Sequence, residues 1–130
     1  MNKQSKTEEV PLILRDQTKY TPVRVIGQGS YGQVWLAKDN QNLGAPVAIK
    51  VFTGVNQSLK VAQAVATELS ILRQLSKVRH PRIAQVFDFL TMRSKDEKEA
   101  LYAVVMEYVP HTLEDYLRHR VTYLTGDFVH

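Results

Sequence analysis

Two charged residues stand where apolar ones are expected, and together they could hold an anionic ligand. Lys50 lies in the middle of the apolar segment Val47 to Phe52. If this segment is a strand, Lys50 shares a face with Ala48 and Phe52. A lysine there needs an anion nearby or incurs a desolvation cost, and the small Ala48 leaves room for a flat ligand. The alternative is a lysine on an edge strand that faces water.

The second charged residue, Glu68, lies within the apolar stripe of a predicted helix. The stripe has the three-and-four spacing of an amphipathic helix and consists of Val61, Ala64, Val65, Leu72 and Leu75. A carboxylate in this stripe faces the core and needs a cation, and Lys50 is the available one. The alternative is a glutamate at the solvent edge of the helix. We therefore predict an ion pair between Lys50 and Glu68.

A glycine-rich segment precedes the lysine strand and has the spacing G-x-G-x-x-G, with the residues Gly27, Gln28, Gly29, Ser30, Tyr31 and Gly32. Glycines allow backbone N–H groups to approach phosphate oxygens closely. A dinucleotide-binding unit would continue with a helix and place an acid about 20 residues on. Here a strand-like alternation follows, and Lys50 stands at that distance. Gln33 and Val34 follow the last glycine where the phosphate loop of ATPases requires Lys and Ser or Thr, which excludes that loop.

The order of the predicted elements indicates an α+β fold. Alternating apolar residues predict a hairpin around the glycines and a third strand over Val47 to Phe52. A helix follows from about Leu59 and is ended by Arg79-His80-Pro81, because proline cannot continue a helix. Two further strands are predicted over Ile83 to Leu90 and Leu101 to Val109, with a charged turn from Met92 to Glu99 between them.

Together these features resemble the small lobe of eukaryotic-type protein kinases. The family pattern G-x-G-x-x-G-x-V corresponds to Gly27 through Val34, and V-A-I-K is present as Val47 through Lys50. His80-Pro81 and the stretch Val105 to Val109 are similar to the family's segments before the fourth strand and at the hinge. The resemblance covers roughly residues 20–125. It implies a five-stranded antiparallel sheet with one main helix, followed by the start of a helical large lobe.

The resemblance also implies a division of the chain. Residues 1–18 are expected to be a flexible leader, although Leu12 to Leu14 is apolar enough to dock on the domain. Residues 19–110 would form the ATP-binding small lobe. Residues 111–130 would be the hinge exit and the incomplete start of the large lobe.

The resemblance further implies that the ligand is ATP. Lys50 would hold the α- and β-phosphates and Glu68 would orient it, so these are the two expected catalytic positions. The expected nucleotide contacts, besides Lys50, are Ile26, Gly27, Gln28, Gly29, Ser30, Tyr31, Gly32, Gln33, Val34, Ala48, Met106, Glu107 and Val109.

Among these, Val34 and Ala48 would cover the adenine. The Glu107 carbonyl and the Val109 amide would bind its edge, with Met106 as gatekeeper. Outside the set, Leu72 and Val86 resemble the small-lobe members of the hydrophobic column that links the lobes in active kinases.

The subgroup is indicated by the loop Gly29 to Gly32 and by Glu68-Leu69 with Leu72-Arg73, which resemble the mitogen-activated and cyclin-dependent kinases. These phosphorylate Ser or Thr. In the cyclin-dependent kinases the two residues between these glycines are inhibitory phosphorylation sites. By this resemblance, phosphate on Ser30 or Tyr31, the latter at the loop tip, would repel the ATP phosphates; the alternative is a plain loop tip. Thr112 departs from these subgroups, because an acid usually contacts the ribose at that position; Glu114 and Asp115 are the alternatives.

Phosphoryl transfer also requires a catalytic base, Mg²⁺ ligands and an activation segment, and the sequence contains none of their motifs. His119-Arg120 is followed by Val121 instead of Asp, and Gly126-Asp127-Phe128 has the letters of D-F-G in the wrong order. We therefore expect the ATP-binding part of a Ser/Thr protein kinase that is inactive by itself and whose parent supplies the Mg²⁺ ligands. The alternative is a non-catalytic half-kinase that acts as a binding or regulatory module through its exposed, large-lobe-facing surface.

The composition excludes several other classes of protein. The net charge is +4, but the basic residues are scattered, which indicates a solvated surface and not a nucleic-acid site. The chain has no Cys, and its four His residues lack metal-ligand spacing. The longest apolar run, Leu101 to Met106, is too short to cross a bilayer, and no signal peptide precedes it. We expect an intracellular protein, cytoplasmic or nuclear, with no membrane partner.

Overall fold

The structure is a computed structural model that describes residues 9–29, 31–53, 55, 58–78 and 84–109. Five β-strands and two α-helices lie in this part of the chain. They are α1 (Leu12–Arg15), β1 (Tyr20–Gly29), β2 (Gly32–Asp39), β3 (Ala45–Phe52), α2 (Leu59–Leu75), β4 (Val86–Arg93) and β5 (Ala100–Glu107). Neither of these helices is long and apolar enough to cross a membrane.

All five strands form one antiparallel sheet in the order β1-β2-β3-β5-β4. The central strand is β3, which pairs with β2 on one side and with β5 on the other. The predicted α+β class, with five antiparallel strands and one main helix, is confirmed. The predicted start of a second, helical lobe lies outside the described residues.

The two faces of the sheet bury two separate apolar clusters, because side chains alternate along each strand. The outer cluster lies on the face covered by α1 and consists of Ile13, Leu14, Tyr20, Trp35, Ala37, Val47, Ile49, Val51, Ala103 and Val105. The inner cluster lies on the face covered by α2 and consists of Phe52, Val65, Leu72, Val86, Val104 and Met106. Leu72 and Val86, the expected members of the hydrophobic column, therefore share one cluster.

The N-terminal segment packs on the sheet before the first strand begins. Ile13 and Leu14 are only 4% and 1% exposed. The Pro11 carbonyl accepts hydrogen bonds from the amides of Leu14 and Arg15 at 2.9 and 3.0 Å, which closes one helical turn. The expectation of a flexible leader is wrong for residues 12–15, and the docking expected of Leu12 to Leu14 is found. Burial of two apolar side chains stabilises a helix too short to form by itself.

Asp88 connects the two edge strands of the sheet, β1 and β4. Its Oδ2 accepts hydrogen bonds from the Tyr20 hydroxyl at 2.9 Å and from Lys19 Nζ at 2.8 Å, both at the start of β1. Burial and the bond to Asp88 raise the pKa of Tyr20. Burial by itself would raise the pKa of Asp88, but hydrogen bonds from Lys19, Tyr20 and the Phe89 amide outweigh it and lower that pKa. These side-chain bonds therefore connect β4, one edge strand of the sheet, to the start of β1, the other edge strand.

The main helix, α2, follows the predicted stripe. Ser58 caps its start, because its Oγ accepts a hydrogen bond from the Val61 amide at 3.1 Å. The helix buries Val65 and Leu72. It ends at Leu75, and the next amide, that of Ser76, donates to the Leu72 carbonyl at 2.9 Å. The predicted stop at Arg79-His80-Pro81 lies outside the described residues, and the helix ends before it.

The last two strands are displaced from their predicted bounds. β4 starts and ends three residues later than predicted, and β5 ends at Glu107 instead of Val109. The connecting turn is tighter than expected, because the Ser94 amide donates to the Glu99 carbonyl at 2.8 Å and the Glu97 amide donates to the Ser94 carbonyl at 2.8 Å. Met92, predicted to belong to the turn, instead pairs with Leu101.

Candidate functional site

Lys50 lies on the central strand of the sheet. It pairs with Val34 of β2 and with Val104 of β5, so the alternative of an edge-strand lysine is wrong. Its side chain is only 15% exposed. Strand neighbours on the same face are Ala48, which is fully buried, and Phe52. The lysine is therefore a mostly buried cation on the α2 side of the sheet.

Lys50 and Glu68 form the ion pair that their positions predict. Lys50 Nζ donates to Glu68 Oε2 at 2.7 Å, and the glutamate side chain is 12% exposed, so it does not lie at the solvent edge of α2. Burying both charges has a desolvation cost, which a short charge-assisted hydrogen bond offsets in part. Because Glu68 belongs to α2, the position of this helix fixes the position of the Lys50 ammonium.

Five of the residues expected around the nucleotide lie in two adjacent rows across the sheet. Strand pairing places Gly27, Val34 and Lys50 side by side in one row. In the other row Ala48 lies beside Met106. Directly paired residues share a face, so both rows line the face that carries Lys50. Val34, Ala48 and Met106 are 8%, 0% and 3% exposed, and they form an apolar surface next to the ammonium.

The three glycines differ in what a side chain would meet. A Cβ on Gly32 would collide with the Val51 carbonyl oxygen of β3. At Gly27 and Gly29 the nearest atoms would lie at 3.5 and 3.8 Å, which is ordinary van der Waals contact. The pairing of β2 with β3 therefore explains the glycine at Gly32. The fold alone does not demand a glycine at the other two positions.

Phe52 belongs to this site, although its sequence position indicated only an apolar neighbour of Lys50. Its ring is 3% exposed, and Lys50 Nζ lies 5.0 Å from the ring centroid. Tyr31, from the turn after the first two glycines, packs against the same inner cluster. The Tyr31 carbonyl accepts a hydrogen bond from the Thr53 amide at 2.7 Å. Strand alternation, which puts Lys50 and Phe52 on one face, is the signal that could have identified this contact.

The remaining expected hairpin residues are Ile26, Gln28, Ser30 and Gln33. Ile26 is partly buried and Gln28 is exposed. Gln33 is partly buried, and its Oε1 accepts a hydrogen bond from Trp35 Nε1 at 3.1 Å. Ser30 lies outside the described residues. Trp35 belongs to the outer cluster, so the Gln33 side chain lies on the face of the sheet opposite Lys50.

The expected hinge residues follow β5. Glu107 is exposed, and its amide donates to the Gln85 carbonyl at 2.9 Å. Its carboxylate accepts a hydrogen bond from the Gln85 amide at 3.1 Å. Val109 lies just beyond the strand and is partly buried. Gln85, which the sequence did not single out, thus holds the end of β5. The ribose candidates lie outside the described residues: Thr112, Glu114 and Asp115.

The chain is similar to protein kinases over most of its length. The protein kinase domain family matches residues 20–128. Glycogen synthase kinase 3 of Trypanosoma brucei brucei is 37% identical over 101 residues, which are 76% of this chain and 27% of that protein. CBL-interacting serine/threonine-protein kinase 19 of Arabidopsis thaliana is 39% identical over 109 residues, 82% of this chain and 20% of that protein.

A further relative is cyclin-dependent kinase 4 of Xenopus laevis, which is 30% identical over 99 residues, 76% of this chain and 30% of that protein. The chain therefore spans between 20% and 30% of the length of these three relatives. The matched range contains the glycine-rich hairpin, the central lysine strand and the helix that carries Glu68. These findings agree with the family resemblance of the sequence motifs: the chain belongs to the protein kinase domain family.

Proposed function

We propose that the protein is an ATP-dependent Ser/Thr protein kinase and that the described residues are its ATP-binding lobe. The observation that carries this proposal is the ion pair of Lys50 and Glu68 at 2.7 Å, on the sheet face that also presents Val34 and Ala48. An ammonium group has three N–H donors, so the bond to Glu68 leaves two for phosphate oxygens. The name of one relative, a serine/threonine-protein kinase, supports serine and threonine as the residues that are phosphorylated.

In this proposal the adenine lies against the apolar surface beside Lys50. Val34 and Ala48 cover its face, and Met106 closes the back of the site. The Glu107 carbonyl and the Val109 amide bind the adenine edge. The pairing of Ala48 with Met106 on the face that carries Lys50 supports this assignment, because a methyl side chain leaves room for a flat ring.

The phosphates lie beneath the glycine-rich hairpin in this proposal. Gly27 stands in the same row as Lys50, with Val34 between them. The space around Gly27 and Gly29 would accept a methyl group, so their lack of a side chain favours a role in ligand approach. Backbone N–H groups at such positions bind phosphate oxygens.

Mg²⁺ accompanies ATP in protein kinases. Within the described part of the chain, no three His, Asp or Glu side chains lie close enough together to hold a metal ion. We therefore assign no described residue to Mg²⁺. Residues 19–110 are proposed as the ATP-binding lobe and 111–130 as the entry to the second lobe, and the transfer reaction is proposed for the intact, intracellular protein.

The first experiment measures the ATP dissociation constant of the intact protein by calorimetry. Lys50→Met should weaken ATP binding roughly tenfold or more, because charged hydrogen bonds contribute about 1.5–3 kcal/mol. Lys19→Met is the matched control, since Lys19 is also paired with a carboxylate, at 2.8 Å, but lies at the start of β1. This control should leave ATP binding unchanged.

Two results would contradict parts of the proposal. Equal loss of ATP affinity in Lys50→Met and Lys19→Met would show that Lys50 does not contact the nucleotide. Transfer of labelled phosphate to tyrosine but not to serine or threonine of a peptide library would overturn the substrate assignment. Tight ATP binding without any transfer by the intact protein would favour the non-catalytic binding module.

A further inference from the structure

We propose that Phe52 is a positioning residue that holds the Lys50 ammonium where the ATP phosphates need it; this inference deepens the proposed function and rests on it. The Lys50 Nζ atom lies 5.0 Å from the centroid of the Phe52 ring. A cation within about 6 Å of a ring centroid is attracted by the negative face of the ring. The attraction is stronger when the cation is desolvated, and the Lys50 side chain is only 15% exposed.

The ammonium is thus held by two different elements. Glu68 of α2 binds it at 2.7 Å, and Phe52 contributes an aromatic face from the strand that carries Lys50. A carboxylate alone can draw a flexible lysine towards the helix. A ring two residues along the same strand keeps the ammonium near the sheet, where Val34 and Gly27 lie in the adjoining row positions.

Phe52 is itself held firmly. Its side chain is 3% exposed, and its backbone pairs with Gly32 of β2 and Tyr102 of β5. Tyr31 packs against the inner cluster that contains the ring. An aliphatic residue at this position would still bury apolar surface, but it would offer the ammonium no quadrupole. The two roles of Phe52, burying apolar surface and attracting the Lys50 ammonium, can therefore be tested independently.

The same residue connects the glycine-rich hairpin to the lysine. Gly32 pairs directly with Phe52, and the Tyr31 carbonyl accepts a hydrogen bond from the Thr53 amide at 2.7 Å. The backbone of this strand end thus positions the hairpin turn while the Phe52 ring positions the ammonium. Both proposed phosphate-binding parts depend on one short segment.

The test replaces Phe52 in the intact protein with phenylalanines carrying one, two and five fluorine atoms, which keep the shape and weaken the negative ring face. Dissociation constants are measured for ATP and for adenosine. ATP affinity should fall stepwise, by roughly threefold to tenfold at full fluorination. Adenosine affinity should stay constant, because adenosine has no phosphate for Lys50 to bind. The matched control is the same series at Phe89, whose ring lies 4.5 Å from the Arg73 guanidinium and should not affect ATP.

Equal losses for ATP and adenosine would assign Phe52 to packing alone, and no loss for either would show that the ring does not act on Lys50; both results overturn the inference. A ligand-free measurement keeps the two proposals apart. The Lys50 methylene protons near nitrogen, assigned by their absence in Lys50→Arg, should be shifted upfield by the Phe52 ring and lose that shift in Phe52→Leu. If the shift is absent, the ring contact is wrong even when ATP binds. If it is present and the protein binds no ATP, the proposed function has failed and the positioning role with it.

Discussion

Two lysine–carboxylate pairs in this lobe have nearly equal lengths and different surroundings. Lys50–Glu68 measures 2.7 Å and Lys19–Asp88 measures 2.8 Å. The side chains of the first pair are 15% and 12% exposed, and those of the second are 46% and 26% exposed. The first pair links the central strand, β3, to α2, and the second links the edge strand β4 to the start of the other edge strand, β1. Distance alone therefore does not reveal what an ion pair does.

The partners of each carboxylate and ammonium explain the difference. Asp88 accepts hydrogen bonds from Lys19, from the Tyr20 hydroxyl and from the Phe89 amide at 2.8 Å. Those bonds satisfy both carboxylate oxygens, so the Lys19–Asp88 pair has a structural role: it stabilises the contact between β1 and β4. Among the described residues, Glu68 accepts a hydrogen bond from Lys50 alone. The Lys50 ammonium also lies on the sheet face that carries Gly27 and Val34, where its other donors can meet a ligand.

The strongest test of this comparison is Glu68→Gln in the intact protein. We expect phosphotransfer by the folded protein to fall about a hundredfold, since small displacements of a positioning group have effects of that size. The melting temperature should fall as well, because the buried Lys50 ammonium loses its charged partner. Steady-state kinetics with a peptide substrate would measure the loss. Asp88→Asn is the control and should retain full activity once folded. Equal activity losses in both variants would remove the distinction between the pairs.

A second test separates the glycines that the fold requires from those that it does not. Gly32→Ala should reduce the free energy of unfolding by about 2–3 kcal/mol, because its methyl group collides with the Val51 carbonyl. Gly29→Ala should change it by less than about 0.5 kcal/mol, since its nearest atom would lie at 3.8 Å. Urea denaturation would measure both. A Gly29→Ala variant as unstable as Gly32→Ala would show that the whole hairpin depends on backbone contacts.

A third test concerns the structural pair, Lys19–Asp88. Asp88→Asn should destabilise the protein by about 1–2 kcal/mol, because the buried Tyr20 hydroxyl and Lys19 lose a charged acceptor. Tyr20→Phe removes the hydroxyl alone and should cost less. Thermal denaturation would rank the two variants, and ATP affinity should be unchanged in both. A nucleotide-binding defect in either would connect this contact to the site.

The smallest expected effect is a pH dependence of stability. The pKa of Asp88 is lowered in the folded state from a usual value of 3.8. Its stabilising contribution should therefore be complete above the usual value and should disappear as the pH falls through the lower folded pKa. The stability difference between the natural protein and Asp88→Asn should be constant from about pH 5 to 7 and shrink under more acidic conditions. Denaturation curves at several acidic pH values would show this, and a constant difference throughout would contradict it.

The parts of the fold that depend on local patterns could be predicted from the sequence. Alternation placed Lys50 and Ala48 on one face of a strand, and helical spacing placed Glu68 in the buried stripe of α2. The ion pair between them could be predicted because a buried ammonium and a buried carboxylate each require an opposite charge. These features depend on neighbouring residues, which the sequence shows directly.

The contacts of Asp88 could not be predicted in the same way. Tyr20 lies 68 positions earlier in the chain, and only the order of the strands brings them together. A register shift between Val86 and Asp88 also interrupts the alternation of side chains along β4, so that the later residues face the opposite side of the sheet from the one that strict alternation predicts. Val86 therefore belongs to the inner cluster, while Leu90 and Met92 pack against the outer one. Strict alternation from Val86 would have placed Asp88 on the wrong face.

The burial of α1 has a practical consequence for recombinant production. The family match begins at residue 20, so a version of the protein trimmed to that boundary would lack Ile13 and Leu14. Each is almost fully buried in the outer cluster, and burying such a side chain contributes about 1.5–3 kcal/mol. The trimmed protein would expose part of the outer cluster to the solvent. We expect the trimmed protein to be produced in lower yield and to be less soluble, although it keeps all of the proposed nucleotide-binding residues.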